Sequence, residues 1–445
     1  MDLSRLIFNG LCALLIAAAI FAAGFYSGLT RNWVYQTMRQ IKDDVTLVLA
    51  SREPAVKNFL QPNRGQGAGV TVNDRTDDAL IMLSGFFEGG NEIRLIERDG
   101  TLVARWPLEY DALFPEPDFL QDPPRGNLAI DLHGALMEPD GATVFNFEYG
   151  GTAKLDRCGG VEWTLRHPTH HSIERAEDGG YWIAGRIEHR ENNGAFPPFT
   201  SPSSVGGYGE DLILRVSDTG EIVEEVSVPR ILLDGGLEAV LTATGHSFWP
   251  NKSARPAEIV HLNKITELPR ALAPAFPMFE AGDLALSLRM FNMIAVVDPD
   301  SWAVKWHQTG PWIRQHDPEF LPDGRMAIFN NNAYRIKQSR NRVNLDQPFS
   351  TNIVLIDPAS RRTEIAYGSR EGQEMLSHVR GKHDPVPGGG FIITEFDAGR
   401  AVQVDREGRV VWEYVNEYDA ENVAEITEAR IYPRAYFSVS DWSCN

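Results

Sequence analysis

The stretch that decides the fold is IRLIERDGTLVARW, from Ile93 to Trp106, because its pattern returns along the chain. An apolar run leads into a turn, and a second run ends on a bulky aromatic side chain. Such runs predict β-hairpins, since Gly tolerates the positive φ of a two-residue turn. The other copies are AKLDRCGGVEW (Ala153–Trp163), IAVVDPDSWAVKW (Ile294–Trp306), VQVDREGRVVW (Val402–Trp412) and two degenerate ones, LILRVSDTGEIVEEV (Leu212–Val226) and IVLIDPASRRTEIAY (Ile353–Tyr367).

A second element precedes most of these copies: a His, then a Pro/Asp/Gly turn and an apolar strand. It begins at His133, His171, His316 and His383, and a copy with an insertion begins at His261. Short strands repeating at roughly 45–80 residues, in six units, predict a six-bladed β-propeller of the all-β class. The Trp or Tyr that ends five of the six copies is expected to fill the space between neighbouring blades.

The five histidines are the most informative feature of this repeat. The first strand of each propeller blade lines the central channel, and each His stands at the start of a first hairpin. We therefore expect them to converge at one mouth of the channel. A propeller His can also serve only structure, by bonding the backbone of the next blade. His133 and His171 are interpreted mainly as wall residues, and His171 is also a candidate for substrate binding.

The N-terminus is apolar and lacks charged residues between Arg5 and Arg31. Its run from Leu6 to Leu29, at about 1.5 Å per residue, is long enough to span a hydrocarbon layer of about 30 Å. We predict an uncleaved transmembrane anchor over residues 1–30; the alternative is a signal peptide cut near Ala22-Ala23-Gly24. Residues 31–79 are expected to form a juxtamembrane helix to about Arg52 and a Gly-rich linker, followed by the propeller over 80–445.

Charge and cysteine content restrict the partners. The chain has 42 Lys and Arg against 61 Asp and Glu, a net charge of −19, which argues against nucleic acid. Cys12 lies in the apolar run, so Cys158 and Cys444 can form one disulfide within the domain if the compartment is oxidising. In HPTHH (His167–His171), strand alternation puts His170 opposite the other two histidines, and no carboxylate or Cys follows at ligand spacing. We expect no metal and no cofactor.

Several longer runs resemble the arylsulfotransferase family of bacteria, collinearly over roughly residues 80–440. The resemblance implies a six-bladed propeller, a periplasmic location and a sulfuryl-transfer site in the channel. Members move a sulfuryl group from a phenolic sulfate ester to another phenol without a nucleotide donor, and a histidine is the transient acceptor. The runs are DLHGALMEPDG (Asp131–Gly141), KLDRCGGVEW (Lys154–Trp163), HHSIERAEDGGYWIAGR (His170–Arg186), EIVHLNKI (Glu258–Ile265), WHQTGPWIRQHDPEFLPDGRMAIFNNNAYR (Trp306–Arg335) and the stretch His378–Tyr414.

The resemblance also carries residue roles. The family's His-x-Asn motif falls on His261 and Asn263, as a catalytic and a substrate-binding residue, and its Gln-His motif falls on His316, the expected proton donor. The nucleophilic His of the later blade falls on His383, with His378 as the alternative five residues earlier.

Two arginines complete the expected site. The family's arginine falls on Arg335, and Arg289 is a second candidate to clamp the sulfuryl oxygens. A membrane anchor in place of a cleaved signal and a short N-terminal part depart from the family pattern.

Two functions therefore stand as hypotheses. The first is a membrane-anchored periplasmic arylsulfotransferase with a phenolic sulfate donor and a phenolic acceptor; the second is a non-catalytic propeller that binds a partner or glycan. A homodimer or a partner in the membrane is left open. Arg31, Arg39 and Lys42 follow the span, so the positive-inside rule would put the domain in the cytoplasm. The resemblance and the cysteine pair favour the periplasmic side of the inner membrane.

Overall fold

The computed structural model describes two compact units, Met1–Lys57 and Asn58–Asn445. The first contains helix α1 (Leu3–Thr30), in which Ile7–Gly28 has a mean hydropathy of 2.2. Its length and composition are compatible with a single-pass anchor or a signal sequence. Most of the predicted juxtamembrane helix lies outside the described residues. These are 3–30, 34–35, 37–38, 55–189, 208–242, 257–333, 343, 345–346 and 348–444.

The second unit is built from β-strands, which confirms the predicted all-β class. Among the described residues, three short α-helices accompany them: α2 (Tyr110–Leu113), α3 (Val228–Asp234) and α4 (Glu238–Thr242). The strands, in chain order, are β1 (Leu60–Pro62), β2 (Gly69–Asn73), β3 (Leu80–Phe87), β4 (Gly90–Ile96), β5 (Leu102–Leu108), β6 (Leu132–Met137), β7 (Thr143–Phe147), β8 (Gly151–Leu155), β9 (Val161–Leu165), β10 (Thr169–Arg175), β11 (Tyr181–His189), β12 (Tyr208–Val216), β13 (Ile222–Ser227), β14 (Ala257–Glu258), β15 (Leu262–Glu267), β16 (Leu284–Leu288), β17 (Met293–Val297), β18 (Val304–Thr309), β19 (His316–Phe320), β20 (Met326–Asn330), β21 (Asn352–Ile356), β22 (Thr363–Tyr367), β23 (Lys382–Pro385), β24 (Phe391–Glu395), β25 (Arg400–Val404), β26 (Val410–Val415), β27 (Glu417–Asp419), β28 (Asn422–Ala424) and β29 (Ile426–Tyr432).

Within the described residues these strands form six sheets of four or more strands. Sheet 1 is β29-β3-β4-β5, sheet 2 is β6 to β9, and sheet 3 is β10 to β13 with β14 beside β12. Sheet 4 is β15 to β18, sheet 5 is β19 to β22, and sheet 6 is β23 to β26 with β2 at its outer edge. A small additional sheet is β1-β28-β27. In sheets 2 to 6 the predicted His element forms the inner hairpin, and the repeat copies form the outer hairpins. The copy in sheet 3 ends on Val226 and the other four end on Trp or Tyr.

The six sheets follow one another in a ring. The inner strands β29, β6, β10, β15, β19 and β23 contact one another in that order, and β23 contacts β29 again. At the outer edge, four indole N–H groups donate to a turn carbonyl of the next sheet, 2.8 to 3.1 Å away. The pairs are Trp106–Asp156, Trp163–Asp218, Trp306–Pro358 and Trp412–Arg98. The aromatic residues therefore lie between neighbouring sheets.

The second unit begins earlier than the sequence analysis placed it. We assigned residues up to 79 to the linker, but β1 pairs with β28 and β2 pairs with β26. Val70 and Val72 alternate with polar residues, which is the period of a half-buried edge strand. The Gly-rich run at 63–69 connects these two strands, so the boundary lies at Asn58.

The C-terminal tail lies against sheet 2. Cys158 and Cys444 are joined by a disulfide across 286 residues of chain. Trp442 packs edge-on against Trp106, with ring centroids 6.4 Å apart, and Arg157 donates to the carbonyl of Ser443. The tail is therefore held by packing and hydrogen bonds as well as by the covalent link.

Candidate functional site

A cavity of about 210 Å³ opens where the inner strands begin. Four of the five predicted histidines line it: His133, His171, His261 and His316. Arg289 and Arg380 also line the wall, together with the carboxylates of Asp131, Glu148 and Glu425. The repeat therefore brings four histidines, one from each of sheets 2 to 5, to one end of the ring.

Local backbone irregularities aim these side chains at the cavity. Each of β6, β10, β15 and β19 has a register shift near its start. His171 and His261 both have φ of 56°, a left-handed conformation that is uncommon for residues with a side chain. Bulges of this kind redirect side chains and are frequent beside active sites.

His316 has a defined orientation and a free nitrogen. Its Nδ1 lies 2.7 Å from Oδ1 of Asn331. The Asn331 amide nitrogen donates to the carbonyls of Ser377 and Arg380, so its oxygen must face the imidazole as an acceptor. Burial lowers the pKa of His316 to about 3, which keeps the ring neutral with its proton on Nδ1. The lone pair is then on Nε2.

His171 is the centre of the histidine cluster. Its Nδ1 lies 2.7 Å from Nδ1 of His170, and its Nε2 lies 3.3 Å from Nε2 of His261. Its ring centroid is 3.9 Å from that of His133 and 5.8 Å from that of His316. Burial, followed by the neighbouring imidazoles, places the pKa of His171 well below its ordinary value. The cluster is therefore a set of closely packed imidazoles, in which burial keeps His171 neutral.

The two arginines of the cavity wall differ in how far their charge is neutralised. Arg380 is within ion-pair distance of three carboxylates, at 2.7 Å from Asp131, 2.8 Å from Glu148 and 3.4 Å from Glu425. Arg289 has one such contact, 2.5 Å to Oε2 of Glu258. Arg289 is therefore the lining cation with more charge left for an anionic ligand.

His383 does not lie where the sequence analysis expected it. It is not one of the described residues that line the cavity, and its side chain is fully buried. Its ring packs edge-on against Phe391, and its Nδ1 is 3.6 Å from Oδ2 of Asp317. Both ring nitrogens lack a hydrogen-bond partner in the part of the chain that the structure describes.

The reason lies in the length of the hairpin. Leu321 and Val386 occupy equivalent positions, because each amide donates across its turn to the residue four ahead. His316 is five residues before that point (316 to 321), whereas His383 is only three before it (383 to 386). His383 is therefore nearer the turn, farther from the mouth, although both histidines precede Asp-Pro.

The remaining predicted residues have other positions. Asn263 is buried and donates from Nδ2 to the carbonyl of Gln315, 2.7 Å away, so it fixes the backbone beside His316 rather than lining the cavity. His378 is also buried, with Nδ1 3.0 Å from Oδ2 of Asp397. Arg335 lies outside the described residues.

Sequence reasoning missed three residues that shape the site. Asn331 belongs to the run NNN after β20, and Arg380 lies three residues before His383; both were inside stretches that resembled the family. His170 was placed on the opposite face from His171, but the register shift between His170 and Ile173 brings the two rings together. The sequence feature that could have indicated this pairing is the presence of two adjacent histidines at the start of a strand.

Among the described residues, no group of three or more His, Cys, Asp or Glu side chains could hold a metal ion. In the HPTHH segment, His167 lies 3.6 Å from Glu225, apart from the cluster around His171.

Comparison with known proteins places this site in a family. A model described as arylsulfotransferase (ASST) matches residues 132–417, more than half of the chain and the part that contains sheets 2 to 6 except for the edge strand β2. No curated protein sequence matches.

The chain is also similar to solved structures, and the three described next have TM-scores below 0.5. A protein of unknown function from Bacteroides caccae has a TM-score of 0.48 and 14% identity, covering 80% of this chain and 99% of its own. Virginiamycin B lyase from Staphylococcus aureus has a TM-score of 0.36 and 10% identity, covering 68% of this chain and 84% of its own. BamB from Moraxella catarrhalis has a TM-score of 0.30 and 11% identity, covering 80% of this chain and 76% of its own. On the family match, the chain belongs to the arylsulfotransferase family.

Proposed function

We propose that the protein transfers a sulfuryl group from a phenolic sulfate ester to a phenol, with His316 as the transient acceptor. The observation that carries this proposal is the orientation of His316. Asn331 holds Nδ1, so the nitrogen left with a lone pair is Nε2, on a residue that lines the cavity. A neutral, oriented imidazole is a competent nucleophile, because it need not lose a proton before it attacks.

The size and charge of the cavity suit an aryl sulfate. A cavity of about 150 Å³ can hold benzene, so about 210 Å³ has room for one aromatic ring with its sulfate group. Arg289, with one carboxylate contact, would hold the sulfuryl oxygens as a planar, two-pronged donor. Its charge would stabilise the negative charge that these oxygens carry in a loose, in-line transition state.

The proposed reaction has two halves. In the first, Nε2 of His316 attacks sulfur, an N–S bond forms, the ester S–O bond breaks, and the phenolate leaves and takes up a proton. In the second, the acceptor phenol gives up a proton and its oxygen attacks the same sulfur, so the N–S bond breaks and the new ester leaves. Each half releases one product, which predicts ping-pong kinetics.

We further propose that the six sheets are the blades of one closed six-bladed propeller, since their inner strands form a complete ring. We propose that α1 is an uncleaved anchor and that the second unit lies in the periplasm. The Cys158–Cys444 disulfide supports this location, because disulfides persist in oxidising compartments. A C-terminal alkaline phosphatase fusion should be active, whereas a fusion active only as a cytoplasmic reporter would contradict this orientation.

The test of function is a brief pulse with 4-nitrophenyl sulfate, without acceptor, followed by peptide mapping at high pH. The expected label is on His316, and His316→Ala should lose both the label and transfer to phenol. His167→Ala, with its ring outside the cavity, is the matched control and should keep both. A label on another histidine would move the role of acceptor there. A folded protein that shows no label and no transfer from several donors would favour the second hypothesis, a non-catalytic propeller that binds a partner or glycan.

A further inference from the structure

Three imidazoles form a continuous chain beside the cavity, between the buried carboxylate of Asp211 and the partly exposed carboxylate of Glu258. Nε2 of His170 lies 3.5 Å from Oδ1 of Asp211, and the Nδ1 atoms of His170 and His171 are 2.7 Å apart. The Nε2 atoms of His171 and His261 are 3.3 Å apart, and Nδ1 of His261 lies 3.2 Å from Oε1 of Glu258. The two contacts between imidazoles are hydrogen bonds, and the two contacts with carboxylates at the ends are at ion-pair distance.

The proton count of this chain is unusual. Its four contacts need one proton each, but three neutral imidazoles carry only three N–H groups, and ionised carboxylates carry none. With three protons, one contact has no hydrogen, and because each ionised carboxylate attracts an N–H group, that gap lies at one of the two contacts between imidazoles. A single additional proton fills all four contacts. The chain therefore has two states that differ by one proton.

We propose that the chain of His170, His171 and His261 stores the proton that sulfuryl transfer gives to one phenol and takes from the next. This proposal rests on the proposed function. The two halves of that reaction consume one proton and then return it, so the protein must hold one exchangeable proton close to the cavity. His171 and His261 line the cavity and exchange the proton with the phenol oxygen. His170 is the reservoir behind them.

The charges around the chain favour storage on His170. Among the described residues, Glu258 has two arginines within ion-pair distance, Arg289 at 2.5 Å and Arg186 at 3.5 Å. In the described part of the chain, Asp211 has no arginine or lysine that close; His170 lies 3.5 Å from it, and Arg186 and His261 act on it from farther away. Oδ2 of Asp211 accepts from the backbone N–H of His261 at 2.9 Å, which leaves Oδ1 for the imidazole. An imidazolium at His170 would donate from Nε2 to Asp211 and from Nδ1 to His171.

The other titratable groups around the chain keep the cavity-facing rings neutral. Burial first, then the charges of His133 and His261, lowers the pKa of His171. Burial first, then Arg289, lowers the pKa of His261. His316 also adjoins the cluster, and its own pKa is lowered to about 3. The additional proton is therefore drawn away from these rings, toward the carboxylate of Asp211.

Asp211→Asn tests the proposal. The Asn oxygen can still accept from the His261 amide, and its NH₂ group can donate to His170, so three neutral imidazoles then fill the chain without an additional proton. With no acceptor present, the rate at which phenyl sulfate labels His316 should fall by about 100-fold, because its phenolate needs a proton. The rate of labelling by 4-nitrophenyl sulfate, whose phenolate is stable, should change by less than about 2-fold. His170→Gln should behave alike, and His167→Gln, from the same HPTHH segment, should match wild type with both donors.

A second measurement does not depend on activity. Imidazole N–H protons in short hydrogen bonds resonate far downfield in the proton NMR spectrum of the full chain in detergent, and Asp211→Asn should remove the signal of the stored proton. An equal loss of His316 labelling with both donors in a folded Asp211→Asn protein would overturn the relay, as would labelling by phenyl sulfate at the wild-type rate. If wild type transfers from no donor, the proposed function fails; the downfield signals then still decide whether the chain holds its proton.

Discussion

The imidazole of His316 and the amide of Asn331 are hydrogen-bonded at 2.7 Å, and they join sheet 5 to sheet 6. Asn331 follows the second strand of sheet 5, and its amide nitrogen reaches the carbonyls of Ser377 and Arg380, which precede the first strand of sheet 6. The direction of Nε2 is thus set by the contact between two sheets rather than by the histidine's own strand. The first prediction follows from this arrangement.

Asn331→Ala should lower kcat for sulfuryl transfer by about 10- to 100-fold, the equivalent of about 1–3 kcal/mol for one buried hydrogen bond. The ring of His316 would lose the acceptor that fixes its tautomer, while the cavity wall would remain. Steady-state kinetics with 4-nitrophenyl sulfate and phenol measure this effect. Gln373→Ala removes another buried amide, away from the cavity, and should leave kcat unchanged. Equal kinetics for the two variants would show that Asn331 does not orient the nucleophile.

Arg289→Ala should reduce kcat by about 10²- to 10³-fold, the usual cost of removing one positioned donor to a developing oxyanion, about 2.7–4 kcal/mol. Arg289→Lys should recover little, because a point charge cannot replace a planar fork of two N–H groups. The released Glu258 carboxylate adds repulsion to an anionic donor in both variants. An Arg289→Lys protein with near-normal kcat would show that charge alone is needed there.

His383 should influence stability more than chemistry. Burial lowers the pKa of His383 to about 4 in the folded protein, against about 6.5 in the unfolded chain. Below pH 6.5 the unfolded chain therefore binds more protons at this residue, and folding loses up to about 3 kcal/mol by pH 4. Above pH 6.5 both states are neutral here, and the contribution is constant.

The measurement is denaturant unfolding of wild type and His383→Gln between pH 7 and pH 4. The stability of wild type should fall more steeply than that of the variant as the pH decreases. His383→Gln should also keep sulfuryl transfer and the label on His316. Parallel stability curves would contradict the burial of a neutral imidazole at this position. Loss of the His316 label in His383→Gln would show that His383 takes part in the reaction.

Reduction of the Cys158–Cys444 disulfide should lower stability by about 2–5 kcal/mol, because it closes a long loop in the unfolded chain. Thermal unfolding with and without a reductant measures the change, and Cys158→Ser should reproduce it. Cys12→Ser is the control, because Cys12 is a free cysteine in the N-terminal helix. Activity should persist at temperatures below the new transition, since Trp442 still packs against Trp106.

The order of strands could be predicted because the sequence features that indicate each strand and turn lie within the repeat itself. The run ending in Trp106 alternates, turns at Asp-Gly and ends on an aromatic residue, and all three features are local. The convergence of four histidines followed, since equivalent strands of a ring meet at one end. These inferences need only a period and a strand geometry.

The details of the site could not be predicted in the same way. The positions of His316 and His383 look equivalent in sequence, and only the number of residues to each hairpin turn separates them. The pairing of His170 with His171 depends on a bulge, which reverses the side-chain alternation that a regular strand would have. The hydrogen bond between His316 and Asn331 joins residues 15 positions apart, and the one from Asn331 to the Arg380 carbonyl joins residues 49 positions apart. Neither separation has a periodicity from which the contact could be predicted.

The indole of Trp412 donates to the backbone carbonyl of Arg98, as do the three other outer indoles to their neighbouring turns. A backbone carbonyl is present whatever side chain a turn residue carries. The hydrogen-bond acceptor in each contact therefore does not depend on which amino acid occupies the turn. The outer turns are consequently free to diverge in charge, size and polarity without altering the spacing of the sheets. New surface properties could thus be acquired at the periphery while the alignment of His316, His171 and His261 stayed fixed.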